Sequence, residues 1–182
     1  KNSFMSKLHH EHIETAFLQL SFAIKLWHFL IEYPINKAQF DLDLTIEDPS
    51  SRVCLTRGEF QTYEDIKLAS ENNISIAFAA ATITLWEAIH EYSGLESKSL
   101  NPLVDTRQNL AGLSYMLRCC FAHGTAAPIW SILDSKYRTT YQVGSKAIDL
   151  SKMNGKAFSY ESIGGYETLW QLKASAKTHG LL

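Results

Sequence analysis

Arg118 and His123 are the residues of this chain with the clearest capacity for chemistry. They lie five positions apart in Leu117-Arg118-Cys119-Cys120-Phe121-Ala122-His123-Gly124, where an apolar helical run reaches a glycine. An imidazole titrates near neutrality and moves protons, whereas a guanidinium stays charged and holds a phosphate or oxyanion. Together they make a minimal site for cutting RNA without a metal. Two residues at this spacing occur in many proteins, so the elements around them decide what they mean.

Those elements are legible from hydrophobic periodicity. Ile13, Phe17, Leu20, Ile24, Trp27 and Ile31 recur every three or four positions, which predicts a long amphipathic helix over 3–33 that stops before Pro34. Residues 40–56 predict a β-hairpin: Phe40 to Ile46 alternates apolar and polar, Pro49-Ser50-Ser51 turns, and Arg52 to Thr56 returns. A short helix is expected over 64–70, and a second long one from about Asn73 to Tyr92, closing at Gly94. On that helix Ile76, Ala80 and Ile83 recur at helical spacing and Glu87 comes next. A carboxylate in an apolar row is costly, so Glu87 either pairs with Arg118 or reaches solvent at the rim.

The third helix is expected from Asn101 to His123, with Asn101 as cap, Pro102 in the first turn and Asp105 complementing the dipole. Leu103, Thr106, Leu110, Leu113, Leu117 and Cys120 then form its core face, set against Ile24, Trp27 and the second long helix. Arg118 falls on another face, in line with Ala111 and Ser114. These small neighbours leave room above the guanidinium and suit the close contact of a two-fold homodimer. Five residues at ~100° each place His123 roughly 140° from Arg118. The two side chains converge only if the helix loosens near Gly124 or a second copy completes the site.

Beyond Pro128 the texture changes. Residues 129–133, 137–143, 147–153 and 156–160 predict short antiparallel strands, with a turn at Asn154-Gly155, and a last helix runs from Tyr166 to about Lys177. The expected architecture is a single mainly α domain over 1–182. It is a helical bundle, with its core in about 3–33 and 70–124, carrying a small antiparallel sheet built from the inserted hairpin and the C-terminal strands.

Composition bounds the alternatives. A chain of 182 residues that is 46% hydrophobic and 12% aromatic buries a full core. The best apolar run, Ile74 to Trp86, is shorter than the ~20 residues a spanning helix needs. No secretory leader pattern opens the sequence, and three cysteines, two of them adjacent, make no disulfide framework. The expectation is a cytoplasmic protein without a membrane anchor, in which Cys119 and Cys120 act as small hydrophobes. The net charge of −2 argues against indiscriminate coating of nucleic acid, although residues 129–182 hold seven Lys/Arg against four Asp/Glu. His9, His10, Glu11 and His12 have the residue types of a metal site but lack supporting ligands, and read as solvated helix histidines. Neither phosphate-binding glycine motif is present, Gly164-Gly165 standing alone, so no cofactor and no metal are expected.

The apolar run into Arg118, followed by Phe121-Ala122-His123-Gly124, resembles the R-x4-6-H signature of the HEPN superfamily, all-helical domains common in prokaryotic toxin and defence systems. The style is that of RN-x-x-A-H, with Cys119 where asparagine or another polar residue often stands. The resemblance spans about 3–33 and 70–124. It implies a metal-independent endoribonuclease leaving 2',3'-cyclic phosphate ends, with His123 as general acid or base and Arg118 stabilising the transition state. Glu87, Ser114 and Cys119 would be supporting residues. The resemblance further implies a homodimer, an RNA substrate, and an antitoxin or other regulatory partner. The alternative is a non-catalytic HEPN-like dimer that binds or regulates, which Cys119 and the modest positive charge favour.

Overall fold

The computed structural model describes residues 2–47, 52–122 and 124–182, with side chains from residue 11 onward. The chain is mainly helical, with two separate two-stranded antiparallel sheets rather than one.

Helix α1 (Asn2–Glu32) ends just before Pro34, as the restriction on pre-proline residues requires. It lies along α3 (Tyr63–Ser93) with Ile13, Phe17, Leu20, Ala23 and Leu30 buried, while Ile31 is exposed near the helix end. Sequence periodicity predicts two helices where α3 is one of 31 residues. The polar run Glu71-Asn72-Asn73 suggests a break, but Ser70 and Ile74 on either side of it are buried, and packing overrides the weak propensity. The ends of α3 are well specified. Thr62 and Asp65 form a reciprocal capping box, and Gly94 takes the left-handed conformation (φ 66°) that closes the helix.

Between α1 and α3 lie a single helical turn, α2 (Lys37–Phe40), and the hairpin β1 (Leu44–Glu47) with β2 (Arg52–Leu55). Phe40 ends the turn instead of opening a strand, because the Asn36 side chain caps Ala38 N at 3.0 Å. The Pro49-Ser50-Ser51 turn lies outside the described residues. Asp41 and Asp43 clamp the hairpin's base by accepting from the backbone N–H groups of Gly58 and Arg57 (both 2.8 Å). Leu44 faces Leu55 and Ile46 faces Val53, so one face of the hairpin is wholly apolar, yet all four side chains are about half exposed.

Helix α4 (Thr106–Phe121) starts later and stops earlier than periodicity suggests. Asp105, not Asn101, is its cap, accepting from Gln108 N at 2.7 Å. Asn101 instead accepts from Leu103 N in a preceding turn, which leaves Leu103 72% exposed rather than in the core. Leu110, Leu113, Leu117 and Cys120 are buried as expected, but the main helical neighbours of α4 are α3 and α5 (Glu167–Thr178), with α1 on α3.

The C-terminal strands reduce to β3 (Thr140–Val143) and β4 (Lys146–Asp149). Residues 129–133 and 156–160 approach each other through a single bridge, Ile129 to Ala157, with Asn154 accepting from Ile132 N (2.8 Å) where a ladder would continue. Tyr137 and Tyr160 sit in 3₁₀ turns. β3 packs under α4, with Tyr141 beneath Gly112. A Cβ at Gly112 would come within 2.8 Å of Pro102 Cγ and 3.2 Å of Tyr141 Cε1. Alanine gains about 0.8–1 kcal/mol of helix propensity over glycine, but such overpacking costs about 1–3 kcal/mol. Gly112→Ala is therefore expected to lower the urea midpoint; a raised midpoint would show that Pro102 yields freely. Among the described residues no helix is long and apolar enough to cross a membrane.

Candidate functional site around Arg118

The last turn of α4 carries Arg118, where a cation complements the negative end of the helix dipole. Its side chain is half-buried, and among the described residues no carboxylate forms an ion pair with it. Glu87, the sequence's candidate partner, is exposed on α3 and makes no such contact. Its carboxylate is met by solvent, which removes the cost of placing it beside Ile83. The Arg118 charge is thus not neutralised by a carboxylate of the fold among the described residues.

The floor beside Arg118 is aromatic. Tyr115, one turn back, stacks on Trp86 of α3 (5.0 Å between centroids) and on Tyr137 (5.4 Å). Burial pushes the Tyr115 hydroxyl above its ordinary value, the neighbouring Cys119 thiol adds to the rise, and Ser97 and the Arg118 charge oppose it. Tyr137 donates to Ser97 O at 2.6 Å, holding the α3–α4 connection against this floor. Trp86 also contacts His90 (5.6 Å), whose Nε2 lies 3.4 Å from the Glu96 carboxylate. Sequence reasoning misses Tyr115, Trp86 and His90; the i, i+4 pairs Trp86/His90 and Tyr115/Cys119 are the signal that was available.

Cys119 is partly buried against Tyr115, which gives a packing reason for a cysteine at this position. Cys120 is buried, and burial pushes its thiol up to about 12, which keeps it protonated and unreactive at neutral pH. Ser114 and Ala111 do not border an open space above the guanidinium. Both are buried within the chain, the Ser114 hydroxyl without a hydrogen-bond partner. They therefore cannot form an intersubunit face as they stand.

His123 lies outside the described residues. Its neighbours in sequence are placed: Phe121 is buried against Phe78 and Phe158, and the Thr125 carbonyl accepts from the Ser75 hydroxyl of α3. The segment leaving α4 is thus tied to α3 at both ends of the Ala122-His123-Gly124 stretch. His12 is exposed, the side chains of His9 and His10 lie outside the described residues, and no group of three metal-type ligands assembles among the described residues.

The basic surplus of the C-terminal third is largely committed to the fold. Lys146 donates to Gly164 O (2.6 Å) and Thr168 Oγ1 (3.1 Å) and pairs with Glu167 (2.6 Å). Lys173 pairs with Glu14, Lys136 donates to Lys98 O, and Arg138 forks onto Ile132 O. What the arrangement offers chemically is one half-buried arginine, without a carboxylate partner among the described residues, beside the Tyr115 ring cluster, a residue type suited to a phosphate or carboxylate. Compared with protein-family models, curated proteins and solved structures, the chain matches none.

Proposed function

We propose that this chain is a metal-independent endoribonuclease of HEPN type, acting as a toxin or phage-defence effector under the control of an antitoxin or other regulatory protein. The observation that carries the reading is Arg118: a half-buried guanidinium with no carboxylate partner among the described residues, followed by the Ala122-His123-Gly124 stretch. In such a site neutral His123 takes the proton of the ribose 2'-hydroxyl, the 2'-oxygen attacks phosphorus as the P–O5' bond breaks, and the 5'-oxygen leaves with the proton that the His123 imidazolium returns. Arg118 forks onto the phosphoryl oxygens as negative charge builds on them. The products are a 2',3'-cyclic phosphate and a 5'-hydroxyl. The test is incubation of purified protein with RNA in EDTA, with the new ends analysed; linear 3'-phosphates or a requirement for divalent metal would contradict it.

A specific observation favours the second reading, a non-catalytic HEPN-like binding or regulatory module. Four of the seven C-terminal cations that could track an RNA backbone, Lys136, Arg138, Lys146 and Lys173, are bonded within the fold. This leaves little free charge for phosphate contacts.

Either reading includes a homodimer, and its contact surface must differ from the Ala111–Ser114 face. Among the described residues, unpartnered apolar surface includes the hairpin face of Leu44, Ile46, Val53 and Leu55 and, separately, Leu18, Phe22 and Phe29 of α1 with Tyr33 just beyond its end. Exposed apolar patches of this kind are what protein–protein contacts cover. Ile46→Lys with Val53→Lys is expected to turn a dimer into a monomer in sedimentation while leaving the unfolding midpoint of the helices unchanged. A wild-type protein already monomeric at high micromolar concentration would remove this part of the proposal.

A further inference from the structure

A cavity of about 560 Å³ lies away from Arg118, between α1, the end of α3 and α5. Its volume is that of small-molecule sites, which run from about 300 to 1,000 Å³ and combine apolar walls with a few placed polar groups. Here Ile13, Trp170, Ala174 and Leu182 supply the walls, and Lys173 and Lys177, one turn apart on α5, supply the charge. The two lysines are not equivalent. Lys173 is already satisfied: its ammonium is 2.7 Å from Glu14 and 4.6 Å from the centre of the Phe17 ring, with the side chain only 20% exposed. Lys177 lies in the last turn of α5 and forms no ion pair among the described residues. The cavity therefore pairs a hydrocarbon-lined body with one surplus positive charge.

We propose that this cavity binds a small monoanion with an apolar body, a free carboxylic acid of medium hydrocarbon chain length, its carboxylate on Lys177 and its chain against Trp170 and Ile13. A concave apolar wall left to water is unfavourable, and covering it with hydrocarbon supplies most of the binding. The single uncompensated ammonium selects one negative charge over two. The nearby Glu14 repels a larger anionic head. The site is independent of the ribonuclease reading.

The experiment is calorimetric titration of the full chain with decanoate below its micelle concentration, and with decanol as the uncharged counterpart. Saturable binding of one decanoate per chain is expected, with decanol about tenfold or more weaker, the scale of one charge-assisted hydrogen bond. Lys177→Gln should weaken decanoate about tenfold, and Lys177→Arg should retain it. Ala174 is exposed on α5, so Ala174→Trp fills the cavity from the surface; it is expected to abolish binding with the helical spectrum intact. Unsaturable uptake, equal affinity for decanoate and decanol, or undiminished binding by Ala174→Trp would each overturn the proposal, the last placing the ligand on the exposed α1 stripe.

Discussion

His123→Ala and Arg118→Ala are each expected to lower RNA cleavage by about 10²-fold or more, the usual scale for losing a positioned proton-transfer group or a transition-state charge partner. The fold should survive the arginine change in particular. Arg118 has no carboxylate partner among the described residues, so its removal strands no buried acid. Arg118→Lys should recover only part of the rate, because an ammonium keeps the charge but loses the planar fork. Cys119→Ala should change little, since that thiol packs against Tyr115, and EDTA should have no effect. The comparison is made within one preparation, because a contaminating nuclease cuts equally in wild type and variant. Equal cleavage by a folded His123→Ala protein would falsify the catalytic role and leave the binding module as the better description.

Phe78→Ala should be among the most damaging single changes to stability, at about 3–5 kcal/mol. Phe78 is fully buried in α3 and touches Phe121 of α4 (5.4 Å), Phe158 (5.7 Å) and Tyr160 (5.3 Å). It therefore joins three separate parts of the chain, and the void left by alanine has walls that cannot all move inward together. Domains are held by only about 5–15 kcal/mol in total, so the variant should be partly unfolded near physiological temperature. Urea denaturation followed by circular dichroism measures it; a loss below about 1 kcal/mol would mean that the aromatic cluster collapses around the gap. The same cluster anchors the residues flanking His123, so a proportional loss of cleavage should accompany it.

The sequence was most readable where one helix alone decides the answer. Periodicity located α1, the core face of α4 from Leu110 onward and the Gly94 stop, but not Leu103 and Thr106, which it set on that face and which are exposed. It failed where a neighbour decides. Asn101 and Asp105 both have capping chemistry, and the turn at Pro102 determines which one faces the open N–H groups. Glu87 and Arg118 have opposite charges and suitable helices, yet the rotation of α3 against α4 leaves Glu87 in solvent. Ala111 and Ser114 were small enough for an interface, but β3, α3 and α5 around α4 leave them covered within the chain. The R-x4-H spacing singles out Arg118 in the sequence; the Tyr115–Trp86–His90 ring cluster beside it has no such local signature, because it is assembled across two helices.

The β1–β2 hairpin has a further consequence, for how this molecule opens. Two strands without a covering layer are marginal in water, and this pair is held mainly by its own ladder and by the Asp41 and Asp43 clamps at its base. Its amides should exchange with solvent through a local opening that costs far less than global unfolding, while the buried length of α3 exchanges only when the whole protein unfolds. Any partner that covers Ile46 and Val53 would then slow exchange in those four-residue strands by the full strength of its binding and leave α3 unaltered. The hairpin thus works as a built-in reporter, registering occupancy of its apolar face separately from the stability of everything beneath it.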